Sequence, residues 1–135
     1  MKPTCCTPQI CRVYTALRGE VPPGARFLVD RLWPRGVAAS RLLLEGWLRE
    51  VAPSSALRNW FGHDPGRWEQ FRTAYLDELA ERPEAVEPIL SALGNGPVVL
   101  LYAARDTEHN HALVLRDHVA ALCAQRATQG GPERS

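Results

Sequence analysis

The segment that most restricts this chain is Pro97 to Ala103. Its centre, Val98-Val99-Leu100-Leu101-Tyr102, is apolar without a break and rich in strand-forming residues. A half-exposed strand alternates apolar and polar residues, whereas an unbroken run marks a strand covered on both faces. Covering both faces takes helical layers, so the run predicts an α/β fold.

Two further strands are expected upstream. Cys11 to Leu17 alternates, and the turn-rich Arg18-Gly19-Glu20-Val21-Pro22-Pro23-Gly24 ends it. Arg26 to Asp30 forms the second, and Pro34 forces the chain out of the sheet because it lacks a ladder donor. Helical periodicity dominates the middle. Ser40 is placed to cap a helix presenting Leu43, Leu44, Trp47 and Leu48, and Ser54 one carrying Leu57, Trp60 and Phe61. Asp64-Pro65 pairs a capping carboxylate with a first-turn proline, ahead of a stripe of Trp68, Phe71, Tyr75 and Leu79. A helix over 84–93 follows, with Pro88 in its first turn, and a last one begins at Thr107. On that helix His111 and His118 flank the apolar stripe, while Asn110 points away from it.

The long helical crossover between the second and third strands makes the sheet at least partly parallel. The prediction is a single α/β domain over 11–124, with a small sheet of three or four strands flanked by helices. Residues 1–10 are expected to be a flexible leader and 125–135, with Gln129-Gly130-Gly131-Pro132, a flexible tail. At 135 residues the chain can bury a core without disulfides. Of its four cysteines, Cys5 and Cys6 fall in the leader, and Cys11 and Cys123 suit small apolar core positions. No run approaches the roughly 20 apolar residues of a membrane span. The first residues lack an apolar signal core, and a cytoplasmic protein is expected.

The overall charge of +1 points to no polyanionic partner, but the distribution is uneven. Residues 1–72 carry eleven basic and six acidic side chains, and residues 73–135 five and nine. In open α/β sheets ligands gather beyond the carboxyl ends of the strands. Two segments leave such ends: Asp30-Arg31-Leu32-Trp33-Pro34-Arg35-Gly36 and Ala104-Arg105-Asp106-Thr107-Glu108-His109-Asn110-His111. If their strands are neighbours, one brings guanidiniums and an aromatic plate, and the other a carboxylate and two imidazoles. That combination suits an anion, since arginine offers a planar donor fork. Arg31 and Arg35 suit equally well ion pairs that tie the two loops together. His63 has a second reading too, as a turn residue before Asp64-Pro65.

No glycine-rich phosphate loop or serine nucleophile elbow occurs, and no cofactor is expected. A metal set from Asp106, His109, His111 and His63 matches no standard ligand spacing, so no metal is assigned.

The residues also resemble a family. Val29-Asp30-Arg31-Leu32-Trp33-Pro34-Arg35-Gly36 is similar to the signature of the YeaO-like proteins, bacterial proteins of unknown function. The likeness continues through Trp60-Phe61-Gly62-His63-Asp64, Trp68, Phe71, Tyr75 and Leu100-Leu101-Tyr102-Ala103-Ala104-Arg105-Asp106 to His109-Asn110-His111-Ala112. It spans roughly residues 11 to 122. The resemblance implies that Asp30, Arg31, Asp106 and His109 to His111 occupy the polar end of the sheet. It also implies a departure from a wider group of domains. Ala103 and Ala104 stand where a cysteine-glutamate pair tends to occur there, and Asn110-His111 replaces a Cys-His-Arg. Chemistry that needs that thiol is not expected. Arg105 stands where lysine is common in the closer family.

The leading expectation is a protein that binds, and could act on, an anionic small molecule, phosphate-bearing ones included. Arg31 and Arg35 would hold the anion, Trp33 would wall the site, and His63 and His111 would line it. His109 would move a proton, oriented by Asp106 or Asp30. The alternative is a nucleic-acid-binding or regulatory module using the arginine-rich first half with Trp33, Trp47 and Trp60. A third reading is a metal-dependent hydrolase built on Asp106 and the histidines. The sequence sets no oligomeric state.

Overall fold

The computed structural model describes residues 7–133, with side chains as far as Arg126. Four strands form one sheet: β1 (Gln9–Arg12), β2 (Ala25–Leu28), β3 (Gly46–Trp47) and β4 (Val98–Tyr102), in the order β1-β4-β2-β3. Every pairing is parallel. Five helices accompany them: α1 (Val13–Leu17), α2 (Ser55–Phe61), α3 (Trp68–Glu81), α4 (Glu87–Leu93) and α5 (His111–Glu133). The molecule is a small α/β domain. Among the described residues no helix is long and apolar enough to cross a membrane.

β4 lies between β1 and β2, and all five of its residues are buried. Its side chains alternate between two cores. Val98, Leu100 and Tyr102 join Phe71, Tyr75, Leu79, Ile89 and Leu115 in the larger one. Val99 and Leu101 join Cys11, Val13, Leu28, Val37 and Leu42, with Trp33 and Trp47 against them. This two-sided burial is what the unbroken apolar run predicts.

Two of the expected capping residues act as caps. The Ser54 hydroxyl accepts the Leu57 N–H at 3.1 Å at the head of α2. Asp64 accepts the Gly66 N–H at 2.9 Å, opening a single 3-10 turn that runs into α3. Pro88 lies in the first turn of α4, where its missing N–H costs nothing.

Several elements differ from expectation. β1 begins at Gln9, inside the expected leader, while residues 1–6, including Cys5 and Cys6, lie outside the described residues. The strand stops at Arg12 because its ladder pairs with Val99–Tyr102, and β4 ends there. Val13–Leu17 coils into α1 instead, closed by Gly19 at φ +85°. The helix expected after Ser40 does not form. A 3-10 turn at Ala39–Arg41 leads to β3, where Gly46 pairs with Phe27 and Trp47 with Leu28. Gly46 disfavours helix by about 1 kcal/mol. The apolar spacing that suggested a helix divides between the cores, and Leu43 is left 72% exposed. α5 starts at His111 rather than Thr107 and runs to Glu133, through most of the expected tail. Arg126 in that stretch pairs with Glu87 of α4.

Candidate functional site

The segments leaving β2 and β4 are neighbours. Val29 N–H donates to the Leu101 carbonyl at 3.0 Å, extending the ladder, and beyond it both chains turn away. A hollow of about 730 Å³ opens there, bounded also by α2, α3 and the loop before α5. Asp30, Arg31, Arg35, His63, Asp106, His109 and His111 all line it, as do Arg58 and Arg105.

At the floor, Asp30 Oδ2 accepts the Ala103 N–H at 2.9 Å, so the carboxylate of one loop caps the backbone of the other. His111, from the first turn of α5, reaches the same place. Its Nε2 lies 2.9 Å from the Val29 carbonyl and 3.1 Å from Asp30 Oδ1. A carbonyl can only accept, which puts the proton on Nε2. That N–H points to the carbonyl, so Oδ1, although close and buried, makes no hydrogen bond of good geometry. Beneath His111, the Tyr75 ring packs edge-on at 6.2 Å, and its hydroxyl donates to the Val51 carbonyl. Burial holds the Tyr75 phenol far above its usual range, so it stays protonated.

A second imidazole–carboxylate pair stands nearer the mouth. Asp106 Oδ1 accepts the N–H groups of Glu108 at 2.8 Å and His109 at 3.0 Å, while Oδ2 lies 3.0 Å from His109 Nδ1. The backbone bond from Glu108, then those from His109, hold this carboxyl below its usual value. An ionised Asp106 fixes the proton on His109 Nδ1 and leaves Nε2 as the basic nitrogen. The ring stands edge-on to Trp68 at 5.4 Å. These bonds fold residues 106–110 into a turn, which is why α5 begins late. Asn110 is its cap, with Oδ1 accepting the Leu113 N–H at 3.1 Å and Nδ2 donating to the Asp106 carbonyl at 2.9 Å. Far from pointing outward, Asn110 is only 3% exposed.

The arginines divide by role. Arg31 donates from Nε and Nη2 to the Pro53 and Ala52 carbonyls, both at 3.2 Å, and so ties its loop to the head of α2. It pairs with neither Asp30 nor Asp106. Arg35, Arg58 and Arg105 come from three separate elements and are exposed, and their guanidiniums make no hydrogen bond or ion pair among the described residues. The carbonyl of Arg35 accepts from the Tyr14 hydroxyl at 2.9 Å, which pins its turn while leaving the guanidinium free. Arg58 is not singled out by sequence reasoning. Its place three residues before the buried Phe61 on α2 is the signal that puts it on the face of the hollow.

Trp33 does not wall the hollow. It packs edge-on against Trp47 at 5.2 Å on the opposite side of the sheet, its Nε1 donating to the Val37 carbonyl. Trp47 Nε1 donates to the Asp30 carbonyl. Of the three tryptophans cited for a nucleic-acid reading only Trp60 is strongly exposed. His63 is an exposed turn residue at φ +60°, following Gly62 at φ +53°. Its turn role and its place on the hollow's lining therefore coexist. Among the described residues no three His, Cys, Asp or Glu side chains gather to hold a metal ion.

The remaining wall is apolar: Phe61 and Phe71 stack at 4.4 Å, with Ala52, Pro53, Ala103 and Ala104 beside them and Leu32 at the rim.

Comparison with known proteins agrees with the sequence resemblance. "Uncharacterized protein YeaO" of Escherichia coli (strain K12) is 40% identical over 114 residues, 84% of this chain and 97% of the relative. "Uncharacterized protein Rv3073c" of Mycobacterium tuberculosis (strain ATCC 25618 / H37Rv) is 34% identical over 107 residues, 79% of this chain and 88% of the relative. "Uncharacterized protein Mb3100c" of Mycobacterium bovis matches to the same extent. No solved structure gives a significant match. A family model described as "Inactive DUF488-N3 subclade" covers residues 8–135, and with these relatives it places the chain in the YeaO-like family of DUF488 proteins.

Proposed function

We propose that the protein binds an anionic small molecule in the hollow at the carboxyl ends of β2 and β4, as a binding protein rather than a catalyst. The observation that carries this reading is the set of three guanidiniums, Arg35, Arg58 and Arg105, on one hollow with no carboxylate partner among the described residues. Surface arginines without partners are common singly. Three from separate elements around one concavity concentrate positive potential where a ligand can be enclosed. Arg31 has a different part, because its donors already serve two carbonyls.

The description of the family as inactive supports binding without turnover. So do Ala103 and Ala104, which bring no nucleophile to the mouth of the hollow. The Asp106–His109 pair can move a proton, and here it serves as a polar contact for the ligand.

Calorimetric titration with phosphate, sulfate and simple carboxylates tests the reading. One or more should bind to the wild type. Arg58→Gln with Arg105→Gln should weaken that binding about 10- to 100-fold per guanidinium, the usual scale of a charged hydrogen bond. Both residues are exposed, so stability should stay within about 0.5 kcal/mol. Binding that survives in the double variant, or no binding by any anion, overturns the proposal.

A further inference from the structure

We infer that the occupant, if the anion reading above holds, carries an apolar, ring-sized body behind its charged head and binds with the head outward. The hollow has exposed arginines at its mouth, a polar floor at Asp30 and His111, and a stretch of apolar wall besides. Arg35, Arg58 and Arg105 are exposed at the mouth, while Phe61 and Phe71 are buried and stacked on one wall at 4.4 Å. Ala52, Pro53, Ala103 and Ala104 add no side-chain polar group. Leu32 stands at the rim 61% exposed, one of three large apolar side chains so placed among the described residues.

Charge fixes the orientation. The floor holds the Asp30 carboxylate, one oxygen of which has no hydrogen-bond donor of its own. Pushing an anion down to that oxygen would set like charges together in a partly desolvated place. The head therefore stays at the arginines, and whatever extends inward must be neutral. An inorganic ion needs only the mouth and leaves the apolar walls wet. The space available, about 730 Å³, is room for roughly two dozen waters at liquid density. A ring-sized body displaces some of these from the exposed Leu32 and the half-buried Ala103 and Ala104, the gain that comes with burying apolar surface.

Three probes separate the two claims: inorganic phosphate, phenyl phosphate and phenol, each titrated by calorimetry. Phenyl phosphate should bind about tenfold or more tightly than either of the others, since a phenyl group contributes area and the head contributes charge. Leu32→Asn, at an exposed position, should weaken phenyl phosphate several-fold while leaving phosphate unchanged. Arg58→Gln should weaken both anions and leave phenol unchanged. Equal binding of phosphate and phenyl phosphate, both lost in Arg58→Gln, overturns the apolar body and leaves the anion reading standing. Equal binding of phenol and phenyl phosphate overturns the charged head and with it both claims, as does failure of all three.

Discussion

The hollow contains two imidazole–carboxylate pairs of nearly the same length, 3.1 Å for Asp30–His111 and 3.0 Å for Asp106–His109. They differ in what else their atoms touch. Asp30 and His111 are 16% and 15% exposed, and each is spent on the backbone, one on the Ala103 N–H and the other on the Val29 carbonyl. Together they bind the ends of β2 and β4 to the first turn of α5. Asp106 and His109 are 33% and 30% exposed and belong to one turn, so their bonds are local. The floor pair is a fastening between elements, and the mouth pair leaves an imidazole nitrogen for a ligand. A histidine beside an aspartate is therefore not evidence of chemistry by itself; the remaining partners decide.

Substitution at the floor should give the largest effect. Asp30→Ala leaves the half-buried Ala103 N–H without its carboxylate partner and removes the charge facing His111. The expected cost is about 2–3 kcal/mol in urea unfolding. A cost no greater than that of Asp106→Ala would erase the distinction between the pairs. Tyr75→Phe extends the same test one layer deeper. It keeps the ring and its packing but leaves the Val51 carbonyl without the Tyr75 hydroxyl, for about 1–2 kcal/mol. Its effect on anion binding should be negligible.

At the mouth, the order of effects should reverse. Asp106→Asn loses little stability, but His109 no longer has an ionised partner at Nδ1, and anion affinity should change. The acid limb tests the same bond. Because the folded structure holds the Asp106 carboxyl below its ordinary value of 3.8, its contribution is fully present above that value. It is lost as pH falls through the lower folded value. Melting temperature plotted against pH should therefore be flatter in Asp106→Asn than in wild type below about pH 4. An unchanged acid limb would mean that the turn does not depend on this charge.

How far the sequence foretold this arrangement depends on the range of the interactions involved. β4 was legible because burial on both faces leaves a five-residue apolar run. Ser54 and Asp64 were legible because a cap acts within three residues. The meeting of the Asp30 and Asp106 loops followed from parallel topology alone. β3 was hidden: two residues at a sheet edge carry no period, and Leu43, Leu44, Trp47 and Leu48 have helical spacing by coincidence. Asn110 was placed by angle on a helix that starts four residues late. That delay arises from Asp106 gathering three N–H groups, which spacing does not display. Trp33 lies two residues beyond Arg31, yet it packs on the other side of the sheet, while Arg35 lines the hollow. Arg58 was missed because an exposed arginine on a short helix looks like any solvated residue until its neighbours are known.

The smallest expected effect concerns a histidine outside the hollow. His118 lies two turns along α5 from His111, is half-buried, and makes no hydrogen bond among the described residues. Burial alone pushes its imidazole below the usual value of 6.5. The unfolded chain therefore takes up this proton at a higher pH than the folded one. Its effect on stability is absent above that ordinary value and grows as pH falls toward the lower folded value. Wild type should lose a little stability between about pH 7.5 and about pH 5.5, and His118→Gln should lose less over the same interval. A slope in His118→Gln as steep as that of wild type would mean that this buried imidazole does not set the response near neutral pH.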